Sequence, residues 1–399
     1  MLDVAVARAR ILEKLAPCGQ ETVSIASACG RVLASPLLAR LSNPPVSVSS
    51  MDGYAVCAED AQKGATLTII GEAPAGHPSS LTVTKGHCIR LFTGSQIPNG
   101  ADTVLIQENM QRAGNTVTLL ADGQQGQFIR KEGQDFQRGE TVLPAGHVLT
   151  ARDIGLAAAA GHVWLTVSRR PRVGILATGD EIILPGDPAQ PDSIVNSGAF
   201  MVTAYLNSLG ADAILLPVAR DNGESLSAAI EHASHLDLLV TIGGASVGTY
   251  DLVRDAFKPH GLELDFWKIA MRPGRPLMSG QLGKTPMIGL PGNPVAAMVC
   301  SVVFVQAAIR ALMGQKVSEK LETETAILGT DLKQNDQRQD FLRCTLTPQP
   351  DGQLPLATPF ASQDSAQLNI LAKSNALLIR APHAPAVKAG AVCNIMRLP

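Results

Sequence analysis

Glycine-rich segments follow two apolar runs in the second half of the chain. Residues 241–251 read TIGGASVGTYD, and residues 289–297 read GLPGNPVAA. Glycines let a backbone approach a ligand closely, and a helix start offers N–H groups with a partial positive charge. The two segments therefore predict a cradle for an anion such as phosphate, and the alternative is a pair of tight turns that serve packing alone. The candidate substrate-binding residues are Gly243, Gly244, Ser246, Gly248, Pro291, Gly292, Asn293 and Pro294.

Acidic residues lie at predicted strand ends in the same region. Glu181 closes the segment ATGDE, Asp221 lies in ARDN, and Asp251 ends the first glycine segment. Carboxylates beside a phosphate repel it unless a cation lies between them, and Mg²⁺ is commonly held by one or two carboxylates together with substrate phosphates. We therefore predict Mg²⁺ as the cofactor, with Glu181, Asp221 and Asp251 as ligands. Each single aspartate would also suit a helix N-cap.

Three cations surround a Pro-Gly turn between the two glycine segments. They are Lys268, Arg272 and Arg275 in FWKIAMRPGRP. Cations this close together predict a clamp for an oxyanion, because guanidinium and ammonium groups donate charge-assisted hydrogen bonds. The alternative is a solvated basic loop.

Alternating strands and helices would bring these segments to one place. The hydrophobic pattern predicts strands at 172–177, 212–218, 237–242 and 262–268, a hairpin near 277–290, and helices at 196–209, 222–235, 251–258 and from 294. This alternation predicts a mostly parallel sheet with right-handed crossovers. Ligands of such sheets bind at the carboxyl ends of the strands, so the three groups of residues should share one edge.

The rest of the chain has a different pattern. Residues 4–16 have helical spacing, residues 64–130 contain short strand-like runs between turns, and residues 316–399 return to such runs. We divide the chain into residues 1–45 with 132–169, an inserted β module at 46–131, an α/β domain at 170–315 and a C-terminal β domain at 316–399.

Composition excludes several classes of function. The 399 residues carry a net charge of −2 and only 4% aromatics, so neither a nucleic-acid partner nor a membrane surface is expected. The apolar stretch after Pro294 is interrupted by Gln306 and Arg310, which favours a buried helix. Seven scattered cysteines without a CxxC favour a reducing compartment, and with no signal-peptide pattern we expect a cytoplasmic protein.

Seven motifs in a fixed order give the chain a family resemblance. It resembles the molybdopterin molybdenumtransferases of the MoeA family, which also form one half of gephyrin. The motifs are SSMDGYAV, IRLFTGSQIPNGADTVLIQE, RKEGQDFQRGETVLPAGHVLT, ATGDE, GGASVGTYD, MRPGRP and GLPGNPVAAM. The resemblance implies an α/β plus β protein of several domains: a central, mostly parallel molybdopterin-binding domain, an inserted β module and a C-terminal β domain. It also implies an elongated, L-shaped subunit and a homodimer whose two clefts are shared between subunits.

The implied reaction inserts molybdate into adenylylated molybdopterin and releases AMP and molybdenum cofactor. The resemblance adds Asp52, Thr93 and Asp135 of the partner subunit to Glu181, Asp221 and Asp251 as candidate catalytic residues. It also adds Arg338, the first arginine of RQDFLRC, and Ser365 of SQDSAQLNIL as candidate substrate-binding residues. Arg275 departs from the pattern, since many relatives have lysine there; a guanidinium keeps the charge with altered geometry.

Two other functions remain open at this point. One is molybdopterin adenylyltransferase, which needs only an α/β domain and would not explain the MDGYA segment or the β tail. The other is a scaffold that binds molybdopterin without catalysis, against which the intact acidic residues speak. The expected partners are the pterin and molybdate, a second copy of the chain, and possible contacts with the adenylyltransferase and with molybdoenzyme maturation factors.

Overall fold

A computed structural model describes residues 1–231, 235–243, 257–350 and 352–399. The chain divides into two compact units. The upstream unit comprises residues 22–167, and the downstream unit comprises residues 1–21 and 168–399. The finer division into four domains stays a prediction.

The upstream unit is built mainly of short strands separated by turns. Helix α1 (Val4–Glu13) precedes it and belongs to the downstream unit. From Gln20 to Ser168 the elements are β1 (Gln20–Ser24), β2 (Leu37–Leu38), β3 (Val48–Ser49), β4 (Gly53–Val56), β5 (Thr66–Ala73), β6 (His87–Leu91), β7 (Thr103–Ile106), β8 (Met110–Ala113), β9 (Thr116–Leu119), β10 (Ile129–Arg130), β11 (Thr141–Leu143), α2 (Ala151–Ala159) and β12 (Trp164–Ser168). Short 3-10 turns lie at Ile25–Ser27, Ala58–Asp60 and Gln107–Asn109.

The predicted β module forms a six-stranded sheet. Its strand order is β7-β4-β6-β5-β9-β8, and only β5 and β6 run parallel. Alternating side chains on these strands bury a core that includes Tyr54, Leu67 and Val117. Helix α2 is rich in alanine, and the Thr150 N–H and hydroxyl both donate to the Asp153 carboxylate at its start.

The downstream unit contains the predicted α/β domain. Its strands are β13 (Arg172–Ala177), β14 (Ile182–Ile183), β15 (Ile194–Val195), β16 (Asp212–Leu215), β17 (Leu238–Ile242), β18 (Leu262–Trp267), β19 (Met271–Arg272), β20 (Met278–Leu282) and β21 (Thr285–Leu290). Its helices are α3 (Ser197–Ser208), α4 (Gly223–Glu231), α5 (Pro294–Cys300) and α6 (Gln306–Leu312), with a π-helical segment at Ser301–Val305 and a 3-10 turn at Lys258–His260.

The main sheet is mostly parallel, as predicted. Its order is β16-β13-β17-β21-β20-β18, in which the first four strands are parallel. Strands β20 and β21 form the predicted hairpin, and β18 pairs antiparallel with β20. Each predicted element from 172 to 242 appears within a few residues of its expected bounds. The helix predicted at 251–258 falls largely outside the described residues.

One long helix runs through the core of the downstream unit. Residues Pro294–Leu312 are apolar and long enough to cross a membrane, but 83% of the most apolar window is buried inside the protein. The buried Ser301 hydroxyl donates to the Ala297 carbonyl at 2.8 Å, next to the π-helical segment. This burial is the expected behaviour of a core helix.

The C-terminal part closes into a small barrel. Its elements are β22 (Glu324–Leu328), β23 (Gln339–Thr347), β24 (Leu356–Pro359), α7 (Leu368–Lys373), β25 (Ala376–Arg380) and β26 (Val392–Arg397). The order β23-β24-β22-β26-β25 is closed by pairing of β23 with β25. Strand β19 of the Pro-Gly turn segment also joins β23, so Arg272 lies beside Asp340. The predicted class, α/β plus β in several domains, is confirmed.

Candidate active site

Three parallel strands end side by side and form the floor of the site. Ala177 of β13 pairs with Ile242 of β17, which pairs with Leu290 of β21. The segments that follow these strands therefore leave the same edge of the sheet. This confirms the predicted convergence of the strand ends.

Glycines keep the segments close to one another at this edge. Gly243 has φ +94°, and a Cβ there would lie 2.6 Å from the Thr178 carbonyl oxygen. A Cβ on Gly292 would lie 3.5 Å from the Cα of Gly243. Position 243 therefore requires glycine, because its positive φ and the lack of space beside Thr178 both exclude a side chain.

A pocket of about 760 Å³ opens at these strand ends. Its volume suits a cofactor-sized ligand. The wall combines backbone of the segments that follow β13, β17 and β21 with acidic, basic and apolar side chains. The predicted site residues among those that line it are Glu181, Asp221, Gly243, Lys268, Arg275, Pro291, Gly292, Asn293 and Pro294.

The start of helix α5 forms one side of the pocket. Asn293 is the N-cap and Pro294 the first helical residue, as the sequence predicts. The Asn293 amide donates to the Ser365 hydroxyl at 2.9 Å, and the Val295 N–H donates to the Ser365 carbonyl at 3.3 Å. Ser365 therefore lies against the start of α5, and the C-terminal segment that carries it contributes Ala366 and Leu368 to the pocket wall.

The acidic side of the pocket concentrates negative charge. The Asp221 N–H donates to the Asp180 carboxylate at 3.0 Å. The pKa of Asp221 is raised, first by burial and then by repulsion from Asp180 and Glu181. A divalent cation would relieve this repulsion, so Glu181 and Asp221 fit Mg²⁺ as oxygen ligands. Among the described residues, no group of three or more acidic, histidine or cysteine side chains is arranged to hold a metal ion.

The three predicted clamp cations are separated by the structure. Lys268 and Arg275 line the pocket. Arg272 instead donates to the buried Asp340, through Nε to Oδ1 at 2.9 Å and through Nη2 to Oδ2. The parallel pairing of β19 with β23 sets this contact, which the local sequence could not reveal.

Arg338 lies in the same ion-pair network as Arg272. Its guanidinium donates to Asp336, with an Nη2–Oδ2 distance of 2.6 Å, and Arg272 Nη1 lies 3.5 Å from the same Oδ2 atom. Its predicted contact with molybdate stays a prediction.

A second arginine of RQDFLRC has surroundings that the sequence analysis missed. Arg343 is 1% exposed, and its Nη2 has no hydrogen-bond partner within the described part of the chain. Its N–H donates to the Gln363 side chain and its Nη1 to the Gln367 carbonyl, so it underlies the loop that carries Ser365. No sequence signal pointed to Arg343, because burial along β23 does not alternate and Phe341, Arg343 and Cys344 are all buried.

Four predicted residues lie outside the described part of the chain. They are Gly244, Ser246, Gly248 and Asp251. Their roles stay predictions.

The remaining predicted residues lie in the upstream unit. The Thr93 N–H and hydroxyl both donate to Asp52, at 2.7 and 2.9 Å. These hydrogen bonds lower the pKa of Asp52 and keep it ionised. Asp135 accepts a hydrogen bond from the Asn43 amide at 3.0 Å. Asp52 and Thr93 thus form one hydrogen-bonded pair. The sequence alone did not indicate this pairing.

Comparison with known proteins covers the whole chain. Three family profiles match in order: MoeA N-terminal region (domain I and II) over residues 2–161, Probable molybdopterin binding domain over 174–311, and MoeA C-terminal region (domain IV) over 325–398. A molybdopterin molybdenumtransferase of Haemophilus influenzae is 34% identical over 99% of this chain and 98% of its own length. One of Nostoc is 38% identical over 74% of this chain and 70% of its own.

A solved structure has the same architecture. The molybdopterin biosynthesis moeA protein of Pyrococcus horikoshii matches with a TM-score of 0.86 and 26% identity, over 100% of both chains.

Proposed function

The chain belongs to the MoeA family of molybdopterin molybdenumtransferases, and from that premise we propose that the pocket at the strand ends binds adenylylated molybdopterin and molybdate. The enzyme acts in molybdenum cofactor biosynthesis: it inserts molybdate into adenylylated molybdopterin and releases AMP and the cofactor. The observation that carries the placement is the convergence of Gly243, Gly292 and the start of α5 at one pocket.

We assign the phosphates of the substrate to the glycine loops. The start of α5 lies at this pocket, and helix starts stabilise negative charge. Ser365, held by Asn293, would orient the ligand from the C-terminal side. Gly244, Ser246 and Gly248 would complete the cradle.

We propose Mg²⁺ as the cofactor, bound by Glu181 and Asp221 and by Asp251. The ion would neutralise the phosphoanhydride oxygens when it is bound. Asp221 has an alternative task. If Glu181 and Asp251 alone hold the ion, Asp221, whose pKa is raised first by burial, would take a proton from the water that attacks the anhydride phosphorus, and AMP would leave as that bond breaks.

Lys268 and Arg275 are the cations of the pocket and would bind molybdate or the departing phosphate. We add Arg343 as a further candidate, because its Nη2 has no hydrogen-bond partner within the described residues and its Nη1 donates to the segment that follows Ser365. Arg272 and Arg338 remain candidates, although Asp340 and Asp336 hold them.

The functional assignment is tested by replacing one carboxylate. Glu181→Gln keeps the shape of the side chain and removes its charge, so we expect retained binding of adenylylated molybdopterin and AMP release slowed at least about 100-fold, the usual size of a charge-stabilisation loss. Glu263→Gln is the matched control, an exposed glutamate on β18 outside the pocket wall. Equal turnover by wild type and Glu181→Gln would contradict the assignment.

We further propose a homodimer in which Asp52, Thr93 and Asp135 of the partner subunit complete the cleft. The support is the family resemblance, together with the ionised Asp52–Thr93 pair. Mixing Asp52→Ala with Glu181→Gln subunits should restore activity in mixed dimers, because one cleft would then be intact. No restoration would contradict shared clefts. We also propose a cytoplasmic location, because all seven cysteines are unpaired. Contacts with the adenylyltransferase and with molybdoenzyme maturation factors belong to the same proposal.

A further inference from the structure

A lysine and a tryptophan form a close pair in the wall of the pocket. The Lys268 ammonium lies 3.4 Å from the centroid of the Trp267 ring, and both residues line the pocket. This distance is well inside the range of a cation–π contact. Trp267 ends β18 opposite Met278, and it packs against the core of the α/β domain. The ring is therefore anchored, while the lysine is long and has many rotamers.

The backbone of Lys268 has a conformation that residues other than glycine rarely adopt. Lys268 has φ +70°, one of three positive values among the described non-glycine residues. Its N–H donates to the Leu277 carbonyl and its carbonyl accepts from the Leu2 N–H, both at 3.2 Å. The Ala270 N–H donates to the Leu2 carbonyl at 2.7 Å. Strained backbone braced on both sides is typical of functional positions.

The ring is the contact that the structure gives to the ammonium. Within the described residues, no carboxylate lies at ion-pair distance from Lys268. By contrast, Arg272 and Arg338 each form an ion pair with an aspartate. The charge of Lys268 is thus available to a ligand. A free lysine side chain would lose rotamer entropy on binding an anion, and a side chain already held on a ring loses less.

We infer that Trp267 is a positioning residue, whose ring holds the Lys268 ammonium in place to bind an oxyanion of the substrates. The inference rests on the proposed function of the pocket. The oxyanion is either molybdate or a phosphate of the adenylylated pterin, and both present oxygens to which the ammonium donates. The ring keeps its contact while the free N–H groups bind the oxyanion.

The tryptophan itself supplies a readout. The chain has only two tryptophans, and the other, Trp164, is exposed on β12 in the upstream unit. In a Trp164→Phe background the emission reports Trp267 alone. We expect molybdate, AMP or adenylylated molybdopterin to change this emission, because the anion alters the field of the ammonium on the ring. The three titrations show which oxyanion is bound, and the change should disappear in Trp164→Phe/Lys268→Met.

Two substitutions at the ring test positioning against simple packing. Trp267→Leu removes the aromatic face and should weaken oxyanion binding about fivefold, the equivalent of the ~1 kcal/mol of rotamer entropy that an unheld lysine would lose on binding. Trp267→Phe keeps a face and should lose less. KM for the bound substrate should rise while kcat changes little.

The outcomes separate the inference from the proposed function. Unchanged or tighter oxyanion binding by Trp267→Leu, or an emission that no oxyanion changes, would overturn the role of Trp267 even if AMP release is normal. The titrations on Trp164→Phe need no substitution at the ring, so they decide the matter if Trp267→Leu does not fold. Absence of AMP release by the wild type would instead overturn the proposed function, and the titrations would still answer for Trp267.

Discussion

Replacing Arg272 by methionine distinguishes two roles for this side chain. The sequence assigns Arg272 to an oxyanion clamp, whereas the structure places its guanidinium on Asp340. If the structural role dominates, the substitution lowers the free energy of unfolding and leaves oxyanion affinity nearly unchanged. If the clamp role dominates, affinity falls and stability does not.

The expected size follows from the exposure of the two partners. The Asp340 side chain is 5% exposed and the Arg272 side chain 47%. Removing one partner of a fully buried pair costs about 3–5 kcal/mol, because a charge is left buried without compensation. Water screens the exposed half of Arg272, so we expect about 2 kcal/mol. Arg272→Met/Asp340→Asn should regain part of this, since a neutral amide needs less compensation.

Denaturant unfolding of the variants measures these free energies, and titration with molybdate measures affinity. Arg397→Met is the matched control, because it and its partner Glu324 are both more than half exposed, so the loss of stability should be much smaller and molybdate affinity should not change. A stable Arg272→Met protein with strongly reduced molybdate affinity would refute the reasoning and restore Arg272 to the clamp.

Three further substitutions test the pocket. Gly243→Ala places a Cβ 2.6 Å from the Thr178 carbonyl oxygen at φ +94°, so calorimetry should show at least about tenfold weaker pterin binding, with strain of about 1–3 kcal/mol in unfolding experiments. Asp221→Asn should stabilise the metal-free protein at neutral pH and abolish any rise in Tm on addition of Mg²⁺. Because the pKa of Asp221 is raised in the folded protein, the ionised carboxylate lowers the stability of the wild type above that pKa. In thermal melts, the stability gained by Asp221→Asn should therefore shrink as the pH falls through the pKa of Asp221. Arg343→Met replaces a buried cation by a side chain of similar length, so unfolding should change little while titration shows at least about tenfold weaker molybdate binding; unchanged affinity would exclude Arg343.

Local patterns were sufficient to predict the α/β domain. Strand 172–177, the helix capped by Asn293 and the glycine positions depend on periodicity, capping and turn chemistry, all of which are encoded over a few residues. The shared edge followed because parallel strands end together.

Contacts between distant segments could not be predicted. Arg272 meets Asp340 only because β19 joins the barrel strand β23, and no local pattern encodes that pairing. Arg343 was missed for the same reason, since its importance depends on the loop from Gln363 to Gln367 folding over it. The sequence around the Pro-Gly turn predicted the same role for Lys268, Arg272 and Arg275. In the structure, the pairing of β19 with β23 directs Arg272 to Asp340, while the other two line the pocket.

Release of AMP from adenylylated molybdopterin tests the central claim most directly. The purified chain is incubated with the substrate and Mg²⁺, with and without molybdate, and AMP and pterin-bound molybdenum are measured. We expect AMP release that depends on molybdate, with molybdenum appearing in the pterin product in matching amounts. Tight binding of the adenylylated pterin with no AMP release would contradict catalysis and favour a scaffold that only binds the pterin.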